Sequence, residues 1–357
     1  NSYKHLTITD AEQWEYIYPR IIYNLENIQT DFIEGNLSLK NNLLYKKDLQ
    51  ENYTTLLSSQ VNWRDDNVYR DIGLVFNNES NLRVVTVSKD NKNIKDSENI
   101  RFYPQISSKI SYPLIRQSKQ ITQTFSPIIN PILAPYNNYT LQQDITESNI
   151  FSLNRASSIT EWEGGPRINY GIEWFLNNDN GSDAKLLVGQ TYRVNKNSSD
   201  TSEEISDYFI SSNVTLNKKN NINNSFIIDR KDIDVKSINM NTYFKFDQLK
   251  FALDYDYTSG KYAAPKEQIA VGGEYQFIDN FFLKFTGSKN LDTNKNIGYQ
   301  YGLVYENGCL GIDFNYYRDL TQDRDISESD GFSFTIVLKP FGSTKSYGKN
   351  KVFGPRI

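Results

Sequence analysis

An apolar or aromatic residue occupies every second position of the stretch Leu249-Lys250-Phe251-Ala252-Leu253-Asp254-Tyr255-Asp256-Tyr257-Thr258. Side chains of a β-strand point alternately to opposite faces, so this stretch has one apolar face and one polar face. The same alternation recurs in four later segments: Ile269–Phe277, Ile297–Tyr305, Leu310–Tyr316 and Phe332–Leu338. Segments of about 9–11 residues with this pattern suffice to cross a bilayer at a tilt, which is typical of outer-membrane β-barrels.

The composition agrees with a barrel. Only 38% of the 357 residues are hydrophobic, yet 14% are aromatic, with 25 Tyr and 20 Phe. A barrel needs few apolar residues because only alternate positions face lipid, and it places aromatic residues at both membrane–water interfaces. The sequence has no run of 18 or more apolar residues, which argues against a transmembrane helix. The net charge of −4, without a basic block, argues against a nucleic-acid partner.

The fold class that we predict is all-β, an antiparallel transmembrane β-barrel of outer-membrane type with roughly 16–18 strands. A proline-spaced stretch at 120–136 and an irregular link from Asn137 to Ser158 interrupt the strands. The predicted strands are 15–25, 34–45, 53–63, 69–77, 80–88, 101–112, 166–176, 184–194, 205–217, 224–233, 238–247, 248–258, 267–277, 280–288, 296–305, 309–318 and 330–340. A soluble all-β sandwich or propeller remains the alternative fold.

Connection lengths give the C-terminal strands an orientation. The turns at 277–280 and 306–308 are tight, whereas 288–295 and 319–330 are long and polar. Barrels of this class have short periplasmic turns and longer external loops. Cys309, the single cysteine, is therefore predicted to lie at the periplasmic rim, where it cannot form a disulfide within this chain.

Signals for catalysis are weak. The single histidine, His5, lies in a polar N-terminal stretch, and a nucleophile–His–acid arrangement needs that residue in a formed site. The acidic residues predicted on inward faces are Glu173, Asp254, Asp256 and Glu274. They suit a solvated wall better than acid–base chemistry, so we predict no enzyme, no cofactor and no metal site.

Two motifs in the centre of the chain carry a family resemblance. The first contains Phe151, Asn154, Arg155 and Ser157, and the second contains Glu163, Gly165 and Arg167, followed by Asn169-Tyr170-Gly171. These elements resemble the LptD family of lipopolysaccharide-assembly proteins, also called organic-solvent-tolerance proteins. The chain departs from the family pattern at Ala156, at Ser158 and at Thr160-Glu161, where an aromatic residue, Gly and Asp-Arg are usual.

The resemblance implies transport without catalysis. Residues 1–357 would be the C-terminal barrel domain, with a periplasmic jelly-roll domain and several early strands preceding it. Lipopolysaccharide would enter the outer leaflet of the Gram-negative outer membrane through a polar lumen and a lateral gate between the first and last strands. The lumen and motif residues would be Asn154, Arg155, Glu163, Gly165, Arg167, Asn169 and Tyr170. The last strand, Gly331–Pro340, would form one gate edge through Phe332, Phe334, Ile336 and Leu338.

The resemblance also implies partners. An LptE-like plug lipoprotein would lie inside the barrel, and an LptA-like periplasmic bridge would reach it through the N-terminal domain. Cys309 stands where the family has the second of two adjacent cysteines, which implies an inter-domain disulfide. The alternative for Cys309 is a small buried apolar residue.

Three other functions remain open. A porin-like diffusion channel would share every alternation described above, but it requires neither the central motifs nor the proline-broken strands. An outer-membrane hydrolase is disfavoured by the single histidine. A soluble β-rich binding protein would lack the heat-modifiable migration on detergent gels that membrane barrels show.

Overall fold

The computed structural model describes residues 2–4, 14–30, 33–47, 52–91, 94–136, 145–156, 160–194, 204–261, 264–321, 327–338 and 343–347. Within these ranges the chain is all-β, and every pairing whose register is defined is antiparallel. No helix in the described ranges is long and apolar enough to span a membrane. His5 lies outside the described residues.

Twenty strands are described, and all but three of them have nine residues or more. The three short strands are β1 (Ser2–Lys4), β7 (Leu114–Gln117) and β20 (Ser343–Tyr347). The long N-terminal strands are β2 (Trp14–Thr30), β3 (Ile33–Lys47), β4 (Tyr53–Tyr69), β5 (Leu74–Asn91), β6 (Ile94–Ser111) and β8 (Ile121–Leu133). The remaining strands are β9 (Arg167–Asn178), β10 (Ser182–Arg193), β11 (Tyr208–Leu216), β12 (Asn220–Ile228), β13 (Val235–Lys245), β14 (Leu249–Thr258), β15 (Lys266–Ile278), β16 (Phe281–Asn290), β17 (Lys295–Glu306), β18 (Leu310–Asp319) and β19 (Ser329–Leu338).

The chain divides into two compact units, and the first comprises residues 1–114, 125–173 and 189–206. Its strands β2 to β6 form a meander in which each strand pairs with the next. The β4–β5 ladder runs without a bulge from Tyr53↔Asp90 to Tyr69↔Leu74. The β2–β3 ladder shifts register around Pro19, which has no N–H to donate to a neighbouring strand.

The second unit comprises residues 115–124, 174–188 and 207–357. Its strands β11 to β19 form a second meander of adjacent hairpins. Close packing across the ladder explains one glycine. Gly273 lies opposite Phe285, and a Cβ atom added at Gly273 would collide with that ring. The phenyl ring therefore covers the glycine position, as in the aromatic pairing that stabilises sheets.

Burial along the strands is inverted relative to a soluble protein. On β19 the side chain of Phe332 is 63% exposed, whereas its neighbour Ser333 is 1% exposed. On β6 the same contrast separates exposed Phe102 from buried Gln105. Apolar side chains on the outer face and polar side chains on the inner face suit an environment of lipid outside and water inside.

Several predicted strand boundaries were wrong. The predicted strand 69–77 straddles a turn, because Arg70–Gly73 separates β4 from β5 and the Gly73 N–H bonds the Tyr69 carbonyl. The proline-spaced stretch 120–136 is in fact strand β8. The loop predicted at 288–295 is reduced to residues 291–294, since β16 extends to Asn290.

The structure also corrects the position of the final strand. β19 was predicted to be the last strand and a sheet edge, but β20 follows it and pairs with Phe334–Leu338. The apolar face of β19 is confirmed by the alternation described above. Its role as a gate stays a prediction.

Candidate functional site

An irregular segment, residues 145–156 and 160–166, connects β8 to β9 and packs against the inner face of the first unit. Ile150 and Leu153 are buried within it. Gly189 on β10 makes room for Ile150, because a Cβ atom added there would lie 2.5 Å from the Ile150 Cδ1 atom and 3.2 Å from the Tyr170 carbonyl oxygen. We call these residues the inner segment.

Side chains from the strands satisfy the backbone carbonyls of the inner segment. Asn130 of β8 donates to the Phe151 carbonyl at 2.7 Å, and Arg167 of β9 donates to the Leu153 carbonyl at 2.6 Å. Tyr103 and Gln105 of β6 donate to the carbonyls of Thr160 and Glu163 at 3.2 and 3.3 Å respectively. A buried backbone without regular structure needs such partners, since an unpaired buried carbonyl is costly.

Three arginines surround one carboxylate at the centre of this packing. The Arg155 Nε atom donates to Glu163 Oε2 at 2.7 Å, and Arg155 Nη2 contacts Oε1 in a second, parallel bond. Arg167 Nη2 lies 3.3 Å from Oε2, and Arg193 Nη2 donates to Oε1 at 3.1 Å. We call Arg155, Glu163, Arg167 and Arg193 the arginine–glutamate cluster.

Burial and charge act in opposite directions on Glu163. Burial alone would raise its pKa, since it disfavours the charged carboxylate. The charges of Arg155, Arg167 and Arg193 outweigh that effect and lower the pKa of Glu163 to about 2. The carboxylate therefore stays ionised at neutral pH and has no proton to give. The cluster acts as an anchor and not as an acid or a base.

Polar side chains extend the cluster along β9 and β10. Arg155 Nη1 donates to Thr191 Oγ1 at 3.2 Å, and that hydroxyl donates to Asn169 Oδ1 at 2.9 Å. All three side chains are buried. The chain of bonds ties the inner segment to both strands of the β9–β10 hairpin.

Two motif residues shape the backbone of the inner segment. The Asn154 Oδ1 atom accepts from the backbone N–H of Ala156 at 3.1 Å and from that of Glu163 at 2.9 Å, so it joins two parts of the segment. Gly165 has φ +81°, a conformation that side chains with a Cβ atom rarely adopt, and its Cβ would lie 3.1 Å from the Tyr136 ring. Glycine is required there by both its backbone and its surroundings.

The structure brings together six of the predicted motif residues: Asn154, Arg155, Glu163, Gly165, Arg167 and Asn169. Tyr170 is the exception, because it lies on the opposite, exposed face of β9, where its hydroxyl donates to Gln190 Oε1 at 3.0 Å. Sequence reasoning missed Thr191 and Arg193. The sequence shows that Thr191 and Arg193 share one strand face with Gly189. It does not show the strand register that brings this face to the inner segment.

Cys309 is exposed in the turn between β17 and β18, where its N–H bonds Asn307 Oδ1 at 2.9 Å. This exposure overturns the alternative of a buried apolar residue. The acidic residues predicted on inward faces have strand neighbours: Asp254 contacts Asn241, and Glu274 lies 2.6 Å from Lys250. In the described part of the chain no group of acidic, His or Cys side chains is arranged to hold a metal ion.

Comparison with known proteins gives one informative match. A family model described as LptD, LPS transport system D, matches residues 81–281, more than half of the chain. This range contains the whole arginine–glutamate cluster. No curated protein matches the chain significantly.

Two solved structures are weakly similar. The copper transporter OprC is 10% identical with a TM-score of 0.38, over 91% of this chain and 63% of OprC. A mutant porin of Rh. blastica is 11% identical with a TM-score of 0.31, over 93% of this chain and 100% of the porin. Similarities this weak carry no argument about the architecture or the function of this chain.

Proposed function

The chain belongs to the LptD family, and from this premise we propose that it inserts lipopolysaccharide into the outer leaflet through a polar interior and a lateral gate. Membership confirms the family predicted from the motifs between Phe151 and Tyr170. It also confirms lipopolysaccharide transport at the level of the family, the outer-membrane β-barrel class and location in the Gram-negative outer membrane. LptD proteins form a transport family, not an enzyme family.

The family match across the arginine–glutamate cluster is the observation that carries the proposal. The inner faces of the strands supply a polar route for the sugars of lipopolysaccharide. In the first unit the partly exposed Glu173 on β9 would line this route, whereas Arg167 and Asn169 are buried against the inner segment. The hydroxyl groups of sugars bind such side chains, whereas acyl chains do not.

The acyl chains need a different route, and β19 supplies the proposed gate. Phe332, Phe334, Ile336 and Leu338 alternate along it with buried Ser333 and Thr335. Among the described residues β20 pairs with Phe334–Leu338, so a gate at β19 would open by parting this ladder.

The partners follow from the same premise. An LptE-like lipoprotein would occupy the interior, and an LptA-like bridge would deliver lipopolysaccharide through an N-terminal jelly-roll domain. Cys309 is exposed in a short turn, and short turns mark the periplasmic side of such proteins. An inter-domain disulfide at Cys309 therefore remains part of the proposal.

The test is depletion of the full-length protein in cells, followed by complementation with a plasmid copy. Newly made lipopolysaccharide is pulse-labelled, and its arrival at the surface is measured by accessibility to an external probe. We expect arrival to stop on depletion and to resume on complementation. Heat-modifiability of the cells' porins is the control, because it reports barrel assembly independently of lipopolysaccharide.

Normal arrival of lipopolysaccharide during depletion would contradict the proposal. The porin-like alternative predicts a different result. In that case depletion would slow the uptake of small solutes and leave lipopolysaccharide at the surface unchanged.

A further inference from the structure

A polar cavity of about 690 Å³ lies within the first unit, between strands β2 to β5 and the inner segment. The strand register fixes its floor. Ser38 pairs with Asn62, and Asn62 pairs with Asn81, so one polar rung crosses β3, β4 and β5. A second rung joins Lys40, Gln60 and Arg83 in the same way. Ser152 and Asn154 of the inner segment contribute another wall.

The floor of the cavity is held rigid by its own hydrogen bonds. Asn62 Nδ2 donates to Ser38 Oγ at 3.2 Å, and Asn81 Nδ2 donates to Asn62 Oδ1 at 2.9 Å. Gln60 Nε2 donates to the same Oδ1 at 2.5 Å, while Arg83 Nε donates to Gln60 Oε1 at 2.9 Å. Polar groups fixed in this way need not be reordered when a ligand binds, which favours affinity.

The charges that line the cavity balance. Lys40, Arg64 and Arg83 face the same space as Glu26, Asp66 and Glu79. A site for a strongly anionic ligand would carry an excess of cations. Amides, hydroxyls and charged groups in balance instead suit a ligand that is rich in hydroxyls and has no large net charge.

We propose that this cavity binds a short uncharged or zwitterionic saccharide segment. The proposal rests on the function proposed above, since it assigns part of the transported molecule to a defined place. The volume falls within the range of about 300–1,000 Å³ that small-molecule sites occupy. The saccharide segment would bind in the first unit, between the floor of the cavity and the inner segment.

The arginine–glutamate cluster gives the inner segment its place in this site. Arg155 is held by Glu163, and Asn154, the residue before it, lines the cavity and bonds the Glu163 N–H. The cluster thus positions one wall of the cavity without contacting the ligand.

The first experiment measures binding of lipid-free core oligosaccharide, released by mild acid, dephosphorylated and carboxyl-reduced so that it is uncharged, to the full-length protein in detergent. Asn62→Leu and Asn81→Leu should each weaken binding roughly tenfold, because one polar partner of about 1–2 kcal/mol is lost. Asn224→Leu is the matched control. Its Nδ2 atom donates to Ser212 Oγ at 3.4 Å across β11 and β12, the counterpart of the Asn62–Ser38 bond in the second unit. That variant should bind as the wild type does.

A second measurement does not depend on removing an amide. A cysteine introduced by Ser38→Cys should react with a maleimide more slowly when the oligosaccharide is present, whereas one introduced by Ser212→Cys should not. Labelling is quantified at each cysteine by mass spectrometry. Inorganic phosphate alone should give no protection.

Equal labelling of the Ser38→Cys variant with and without oligosaccharide would overturn the inference, as would protection by phosphate alone. If the same protein still delivers lipopolysaccharide in complemented cells, either result would contradict the saccharide site but not the proposed function. Failure of the complementation experiment would instead defeat the function itself.

Discussion

The two units each contain a glutamate surrounded by cations, and the two environments differ. In the first unit Glu163 lies outside the strands, 3% exposed, among three arginines. In the second unit Glu274 lies on β15, with Lys250 of β14 at 2.6 Å and Lys284 of β16 at 3.6 Å, and both lysines are about one-third exposed. The first cluster holds irregular backbone in place, whereas the second lies on strands whose backbone is already hydrogen-bonded in the sheet. The buried carboxylate of Glu163 therefore stabilises backbone that no sheet ladder holds, whereas that of Glu274 adds to strands that are already paired.

Removing the first carboxylate should have the largest effect. Glu163→Gln leaves three guanidinium groups close together and buried without a counter-charge, which should cost about 3–5 kcal/mol in the free energy of unfolding. Glu274→Gln should cost about 1 kcal/mol or less, because its lysines are partly exposed to solvent. The measurement is guanidinium unfolding of the detergent-solubilised protein, followed by tryptophan fluorescence. Equal losses in the two variants would remove the distinction between the units.

Acid should reveal the same difference without mutation. The pKa of Glu163 is about 2 when folded and 4.5 in its ordinary state. Its stabilisation is therefore complete above pH 4.5 and is lost as the pH falls towards 2, a loss of about 3 kcal/mol. The free energy of unfolding measured from pH 6 to about pH 2.5 should fall steeply in the wild type and less steeply in Glu163→Gln.

Asp229 provides the matched control for the acid experiment. It lies in the turn after β12, and the backbone N–H of Asp232, then the Lys236 side chain, lower its pKa from 3.8 to about 2. Its stabilisation is lost over a narrower range, below pH 3.8. Asp229→Asn should flatten the acid slope less than Glu163→Gln, and the reverse order would contradict the assignment.

Crowding the inner segment should have an intermediate effect. Gly189→Val places side-chain atoms where the buried Ile150 now lies, and overpacking of this kind costs about 1–3 kcal/mol. Gly287→Val in the second unit is the control, because the nearest atoms to a Cβ there are 3.7 Å away. Limited proteolysis should cleave between residues 145 and 166 faster in Gly189→Val only. Unchanged cleavage would show that the segment does not depend on Ile150.

The smallest effect is expected for the cations of the second unit. A double-mutant cycle on Lys250→Met and Glu274→Gln should give a coupling of about 0.2–1 kcal/mol, since the lysine is partly solvated. A coupling as large as the Glu163→Gln loss would show that charge also holds the paired strands of the second unit together.

The sequence predicted the second unit better than the first. The strand predicted at 248–258 is β14 within one residue, and 267–277 is β15 within one residue at each end, because both strands alternate cleanly. In the first unit the predicted strand 69–77 crossed a turn, since Ile72 continues the apolar alternation through residues 70–73. The alternation of apolar residues alone cannot reveal a turn whose residues continue that alternation.

The candidate site shows a second limit. The family motifs led to Arg155, Glu163 and Arg167, but nothing in them indicated that these side chains form one ion cluster. Arg193 and Thr191 join the cluster through the pairing of β9 with β10 and the fold of the inner segment. Such contacts depend on tertiary register, which a single sequence does not specify.

The side chains that hold the inner segment also set an order of events during folding. The carbonyls of Phe151, Leu153, Thr160 and Glu163 find their donors on β6, β8 and β9. The segment cannot be buried at low cost until all three strands stand side by side. We therefore expect its docking to be a late step of folding, and protection of residues 145–156 and 160–166 from protease would time the completion of this part of the sheet inside the cell.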